Sequence, residues 1–132
     1  MQFRESQPIY LQIADYVCER ILLKEWKTGE RIPSVRELAV QLEVNPNTVL
    51  RTYDYLQQNE IIQNQRGVGY HVSSSAMKTA MKYRRNDFME RDLPSLFRNL
   101  YLLDMEIEEL AVMYEKYKRS NFNEKSNMSR VK

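Results

Sequence analysis

The chain has 132 residues, and its 20 Lys and Arg against 18 Asp and Glu give a formal net charge of +2. This length accommodates one domain with a small appendage, and it excludes both a second full-size domain and a large nucleotide-binding enzyme fold. Cys18 and His71 are the only residues of their types, which excludes an internal disulfide and a Cys/His zinc site.

The apolar stretches are too short for a signal peptide or a membrane span, so we expect a cytoplasmic protein without membrane contact. The sequence contains one His and neither a nucleophile motif nor a phosphate-binding loop. We therefore expect a protein that is not an enzyme and that needs no cofactor or metal.

The first predicted helix runs from Pro8 to about Lys24 and carries apolar residues at helical spacing. Those residues are Ile9, Ile13, Tyr16, Val17 and Ile21. Gly29 marks the turn that follows. A second helix is predicted to begin after Ser34, because Ser34 and Glu37 have the spacing of a capping box.

The third predicted helix begins after Asn45, with Pro46 at its first position, and runs to about Gln58. Only Glu43 and Val44 separate the second helix from this cap. Two helices joined by so short a connection must cross sharply, which predicts a helix-turn-helix.

Beyond Asn59 the apolar pattern changes to the period of a strand. Residues 61–65 and 70–73 flank Arg66-Gly67-Val68-Gly69, which predicts a β-hairpin with glycines at its tip. The order of helix, helix-turn-helix and hairpin predicts a winged helix-turn-helix over residues 1–73, in a fold that is mainly α with one small β-hairpin.

The remaining chain is predicted to be a two-helix dimerisation region over residues 74–119, followed by a disordered tail over residues 120–132. One helix is expected over residues 76–91, a break at Leu93-Pro94, and a second helix over residues 94–119. The second helix carries a heptad seam of apolar side chains. The seam consists of Leu96, Leu100, Leu103, Ile107, Leu110, Tyr114 and Tyr117. A symmetric dimer would bury this seam, and an intramolecular helical hairpin is the alternative.

The second helix of a helix-turn-helix normally enters the major groove of DNA. Its first turn and the next would here present Asn45, Asn47, Thr48 and Arg51, which are side chains that can pair with base edges or phosphates. The alternative for Asn45 is a cap alone, and for Asn47 an exposed position without a contact. Arg36, in the first turn of the preceding helix, would either bind a phosphate or pair with Glu37 or another nearby acidic residue.

At the hairpin tip, Arg66 and Gly67 would reach the minor groove, since glycine allows close backbone approach. An ordinary hairpin turn is the alternative. Cys18 is expected to be a small core residue, and a redox role for it stays open. His71 is expected to be a plain strand residue.

Several separated motifs together resemble the winged-helix domain of the GntR family of bacterial transcription regulators. They are Pro8-Ile9-Tyr10, the run Gly29-Glu30-Arg31-Ile32-Pro33-Ser34-Val35-Arg36-Glu37-Leu38-Ala39, Val44-Asn45-Pro46-Asn47-Thr48-Val49 and Gly67-Val68-Gly69-Tyr70. The Asn-Pro-Asn-Thr-Val run and the short C-terminal region look like the YtrA subfamily.

The resemblance implies DNA contacts at Arg36, Asn45, Asn47, Thr48, Arg51, Arg66 and Gly67. It also implies dimerisation through the short C-terminal region. Many members have Ser-Arg where this chain has Asn45-Pro46, and Arg where it has Leu50, so base specificity does not transfer from them.

These observations predict a sequence-specific transcriptional regulator, and a repressor in particular. It would bind an inverted-repeat operator in double-stranded DNA as a homodimer, and a small-molecule effector of unknown identity stays open. The alternative is a winged-helix protein-interaction module, because eight basic and nine acidic residues give residues 1–75 a net charge of −1. Charge placement favours DNA, since Arg36, Arg51 and Arg66 occupy the three predicted contact regions.

Overall fold

The computed structural model describes residues 7–122, which are mainly helical with one antiparallel hairpin, and the expected fold class is confirmed. The elements are α1 (Ile9–Leu22), α2 (Val35–Leu42), α3 (Pro46–Gln58), β1 (Ile62–Gln65), β2 (Gly69–Val72), α4 (Ala76–Asp87), a π-helical turn (Phe88–Asp92), α5 (Leu93–Leu102) and α6 (Ile107–Asn121). The chain forms two compact units, of which the first ends at Phe88 and the second begins at Met89. No helix within residues 7–122 is long and apolar enough to cross a membrane.

The helix-turn-helix is set by the local caps that the sequence predicts. The Ser34 hydroxyl accepts a hydrogen bond from the Glu37 N–H at 3.1 Å, and the Glu37 carboxylate accepts one from the Ser34 N–H at 2.8 Å. Glu43 ends α2 in the left-handed region, with φ of 55°. Asn45 caps α3 and Pro46 stands in its first turn, so this part of the prediction is confirmed.

The hairpin pairs β1 with β2 in the register Ile62–Val72 and Gln65–Gly69. A third segment joins the free edge of β2, although the sequence predicted only a turn there. The Gly29 N–H donates to the Val72 carbonyl at 2.9 Å, and the Ile32 N–H donates to the Tyr70 carbonyl at 3.0 Å. The wing is therefore held on both sides of β2.

The core of the first unit lies between α1, α2, α3, the hairpin and α4. Its largest fully buried side chains are Tyr53, Ile13, Ile21, Leu38, Leu56, Ile61 and Ile62. Cys18 is also fully buried, and burial raises the pKa of its thiol to about 12. The thiol therefore stays protonated, and Cys18 acts as a small core residue as expected.

Helix α4 packs against α1 within the first unit. Ala76 and Ala80 are fully buried, and their small side chains let the two helix backbones approach closely. Arg84 Nη1 lies 3.2 Å from Asp15 Oδ1 of α1, which adds an ion pair to this contact. The expected division after residue 73 therefore falls inside a compact unit, which extends to Phe88.

The predicted break at Leu93-Pro94 is wrong, because the π-helical turn leads into α5 without an intervening loop, but the predicted start of a new helix there is confirmed, since α5 begins at Leu93. Pro94 is tolerated since it stands in the first turn of α5, where a missing N–H costs little. The π-helical turn before it also displaces the regular hydrogen-bond ladder.

The single helix predicted over residues 94–119 is also wrong. Helix α5 ends at Leu102, and Asp104 adopts a left-handed φ of 55°. Glu106 and Glu109 then form a capping box that starts α6. The predicted tail overlaps α6, since Ser120 and Asn121 are helical, and residues 123–132 lie outside the described part.

Candidate nucleic-acid interface

The first turn of α3 exposes polar side chains on the helix face opposite the core. Asn45 and Asn47 are exposed, Thr48 is half-buried and Arg51 is exposed, while Val49 is fully buried on the other side. The Asn45 Oδ1 atom accepts a hydrogen bond from the Asn47 N–H at 2.7 Å. Asn45 is thus a cap, and its Nδ2 group keeps donors for another partner.

Four of the predicted contact residues line one shallow recess of about 340 Å³. They are Asn45, Asn47, Thr48 and Arg51, and they share the recess with Pro8, Ile9 and Tyr10 of the start of α1. Neither Arg36 nor Arg66 lines it. The sequence reasoning missed the contribution of α1, although Pro8-Ile9-Tyr10 was among the motifs that carried the family resemblance.

The Arg51 guanidinium lies over the Tyr10 ring, with its carbon 3.9 Å from the ring centroid. This is a cation–π contact between the predicted reading helix and α1. It holds a long, exposed cation at the edge of the recess.

Two buried hydroxyls fix the position of α3 in the fold. The Tyr53 hydroxyl donates to the Pro33 carbonyl at 2.7 Å, and burial raises the pKa of Tyr53, so the hydroxyl keeps its proton. The Thr52 hydroxyl donates to the Tyr10 carbonyl at 2.8 Å. Because both bonds leave the inner face of α3, its outer face is presented in one orientation.

Arg36 is exposed in the first turn of α2. The carboxylate of Glu37 serves the capping box, and the hydrogen bonds from Ser34 hold the pKa of Glu37 below its usual range. The alternative pairing of Arg36 with Glu37 is not formed, and Arg36 makes no ion pair within residues 7–122. Its guanidinium is available to a ligand at the α2 N-terminus.

The wing tip carries Arg66, which is exposed, beside Gly67. Gly67 has φ of +82° and no atom near the place of a Cβ, so its backbone conformation, rather than crowding, favours glycine. At Gly69 a Cβ would lie 3.4 Å from the Arg31 Nε. Arg31 therefore lies against the wing as an additional exposed cation, which the sequence reasoning did not select as a contact residue.

The predicted dimerisation residues lie mostly on the surface of the second unit. Leu103 is 68% exposed, Leu96, Ile107 and Tyr114 are also exposed, Leu110 is half-buried, and Leu100 is only 8% exposed. The seam is interrupted between α5 and α6, because Leu103 lies in the turn that joins them. Its neighbours Tyr101, Leu102, Val112 and Met113 are exposed as well.

Comparisons with known proteins find relatives whose matches cover most of this chain. The family profile described as "Bacterial regulatory proteins, gntR family" matches residues 9–72. The uncharacterized HTH-type transcriptional regulator YhcF of Bacillus subtilis is 47% identical over 75 residues, which are 57% of this chain and 62% of YhcF. The chain thus matches less than two thirds of the length of YhcF. The HTH-type transcriptional repressor YtrA of Bacillus subtilis is 36% identical over 107 residues, which are 81% of this chain and 82% of YtrA.

A solved structure supports the same relationship. The crystal structure of a GntR-family transcriptional regulator from Bacteroides thetaiotaomicron is 45% identical, with a TM-score of 0.65. The match covers 86% of this chain and 100% of that one.

Proposed function

This chain belongs to the GntR family of bacterial regulatory proteins and is a DNA-binding transcriptional regulator, and we propose that it represses transcription as a homodimer on an inverted-repeat operator. The observation that carries the proposal is the exposed polar first turn of α3, whose opposite face is fully buried. A helix held in this way presents Asn47, Thr48 and Arg51 to a major groove.

We assign the direct contacts to three regions of the first unit. The α3 residues read base edges and nearby phosphates, Arg36 binds a phosphate at the start of α2, and Arg66 with Gly67 approaches the minor groove. All three arginines have exposed side chains, which supports this assignment.

The homodimer is proposed from the second unit. Many of its apolar side chains are exposed, among them Leu102, Leu103 and Ile107, and exposed apolar surface of this kind often marks an interaction site. A two-fold pairing through the region of Leu96, Leu100, Leu103, Ile107, Leu110 and Tyr114 would cover that surface. It would also relate two α3 helices by two-fold symmetry, which matches an inverted repeat.

Repression is proposed because the Bacillus subtilis relative YtrA, which this chain matches over 82% of its length, is named a transcriptional repressor. We further propose a cytoplasmic location, where an operator is accessible, and a non-enzymatic role. The proposal leaves room for a small-molecule effector and assigns it neither an identity nor a binding site.

The proposal is tested by mobility shift on a duplex that the protein enriches from a random library, repeated over a salt series. Phosphate contacts release counterions, so binding is expected to weaken steeply as the salt concentration rises. A slope near zero would instead favour the protein-interaction module that the net charge of residues 1–75 leaves as the alternative.

Arg51→Ala is expected to weaken binding to that duplex by about 5- to 150-fold for each half-site, because one Arg contact is worth about 1–3 kcal/mol. Sedimentation should show an unchanged dimer. Arg20→Ala is the matched control, since Glu19 and Glu25 hold its guanidinium at 3.1 and 2.9 Å on α1. Equal losses for both variants would contradict a specific contact by Arg51.

A further inference from the structure

Three residues of α3 contact Tyr10, although 41 or more positions of sequence separate them. The Arg51 guanidinium carbon lies 3.9 Å from the ring centroid, and the Thr52 hydroxyl donates to the Tyr10 carbonyl at 2.8 Å. The Tyr55 ring meets the Tyr10 ring edge to face, with centroids 5.9 Å apart and an interplanar angle of 84°. Arg51 and Tyr55 lie one turn apart on α3, so the Tyr10 ring is held between them.

Two of the groups that contact Tyr10 are themselves packed against the core of the first unit. The Tyr55 ring packs against Tyr83 of α4, with centroids 6.0 Å apart, and Thr52 is fully buried where it binds the Tyr10 backbone. The Tyr10 ring is half-buried against Tyr55 and Arg51. It presents a π face to Arg51 at the edge of the recess that also contains Asn47 and Thr48.

An exposed arginine without such a contact samples many side-chain conformations, and ordering it on a ligand costs affinity. A guanidinium stacked on an aromatic face loses part of this freedom before the ligand arrives. Arg51 is exposed, so the guanidinium N–H donors that do not face the ring can still reach an acceptor.

We propose that Tyr10 is a positioning residue for DNA binding, which holds the Arg51 guanidinium in the orientation that meets the operator. This inference rests on the proposed contact between Arg51 and DNA. It adds an α1 side chain to a site that the sequence placed on α2, α3 and the wing alone.

The test replaces Tyr10 by phenylalanine, trifluorophenylalanine and pentafluorophenylalanine in the full chain. Fluorination withdraws charge from the ring face and changes ring size little, so it weakens the cation–π contact selectively. Affinity for the enriched duplex is expected to stay close to that of the unsubstituted protein with phenylalanine and to fall in the order of fluorination. The total loss should be about three- to tenfold.

Tyr16 supplies a matched control on the same helix. Its ring also makes a cation–π contact, since the Arg20 guanidinium carbon lies 5.0 Å from the ring centroid. Neither residue of this pair lines the recess. The same series at position 16 should leave DNA affinity unchanged. Melting temperatures measured for every variant separate a loss of folding from a loss of positioning.

The series is repeated with Arg51→Ala, and there fluorination at position 10 should have no further effect on DNA affinity. An equal decline in both backgrounds would overturn the inference, because Tyr10 would then act independently of Arg51. If fluorination at position 10 leaves DNA affinity unchanged although Arg51→Ala weakens it, the positioning role of Tyr10 is overturned and the proposed Arg51 contact stands. If Arg51→Ala itself binds normally, the proposed Arg51 contact fails, and the positioning role fails with it.

Discussion

The two units of this chain differ in how far they bury their apolar side chains. In the first unit, side chains from four helices and the hairpin bury one another in a single core. In the described part of the second unit, Leu100 is the one buried apolar side chain, and Tyr101, Leu102, Leu103, Ile107 and Tyr114 are more than half exposed. The first unit therefore has a core of its own, whereas the exposed side chains of the second unit would be covered only in the proposed homodimer.

The largest expected effect tests whether the exposed surface is a dimer interface. Leu103→Glu should raise the dissociation constant of the dimer at least about 100-fold, because two-fold symmetry would bury two unpaired carboxylates. DNA affinity should fall with it, since the half-sites would no longer be bound together. Analytical ultracentrifugation gives the oligomeric state, and mobility shift gives the DNA affinity.

Leu23→Glu is the control for this experiment, because Leu23 is 40% exposed in the first unit, just after α1. It should leave the dimer intact. If Leu103→Glu also stays dimeric, the interface lies on another surface of the chain.

The next effect compares truncations in the two units. Leu56→Ala removes a fully buried side chain and should lower the free energy of unfolding by about 2–5 kcal/mol. Leu102→Ala, which is 61% exposed, should change the stability of the monomer by less than about 0.5 kcal/mol. Chemical denaturation at protein concentrations below the dissociation constant of the dimer measures both changes in stability. Similar losses for the two variants would mean that the two units do not differ in how they bury apolar side chains.

The smallest effect concerns the Asp15–Arg84 ion pair, which adds to the packing of α4 on α1. Burial raises the pKa of Asp15, Arg84 opposes this shift, and Asp87 adds to it. A folded-state pKa above the unfolded value means that the folded state holds the proton more tightly. Stability is therefore lost as the pH rises from the unfolded pKa of about 4 through the folded one.

Arg84→Ala removes the opposing charge and should raise the pKa of Asp15 further. Its destabilisation relative to the unsubstituted protein should be small near pH 4 and grow to about 1–2 kcal/mol at pH 7. Asp15→Asn with Arg84→Ala should remove this pH dependence, and Arg85→Ala, an exposed neighbour, should lack it. A constant difference across the pH range would show that Arg84 acts by packing alone. Thermal unfolding followed by circular dichroism at each pH gives the comparison.

Much of the first unit could be predicted because its signals are local. Ser34 with Glu37 and Asn45 with Pro46 fix two helix starts through groups within three residues of each other. The break between α5 and α6 was missed although Glu106 and Glu109 show the same cap spacing, because the heptad pattern continues across it. A periodic apolar pattern specifies a face and does not by itself specify an unbroken helix.

The sequence by itself determined the order of the elements from α1 to the hairpin, the helix-turn-helix, the wing and the polar turn at the start of α3. Each depends on groups a few positions apart, whose hydrogen bonds and sterics act in any surroundings. Only the tertiary structure decided that α4 packs on α1, that residues 29–32 hold the wing, and that Tyr10 lies beneath Arg51. Those contacts join residues far apart in sequence, and they form only because burial of one shared core brings the elements together.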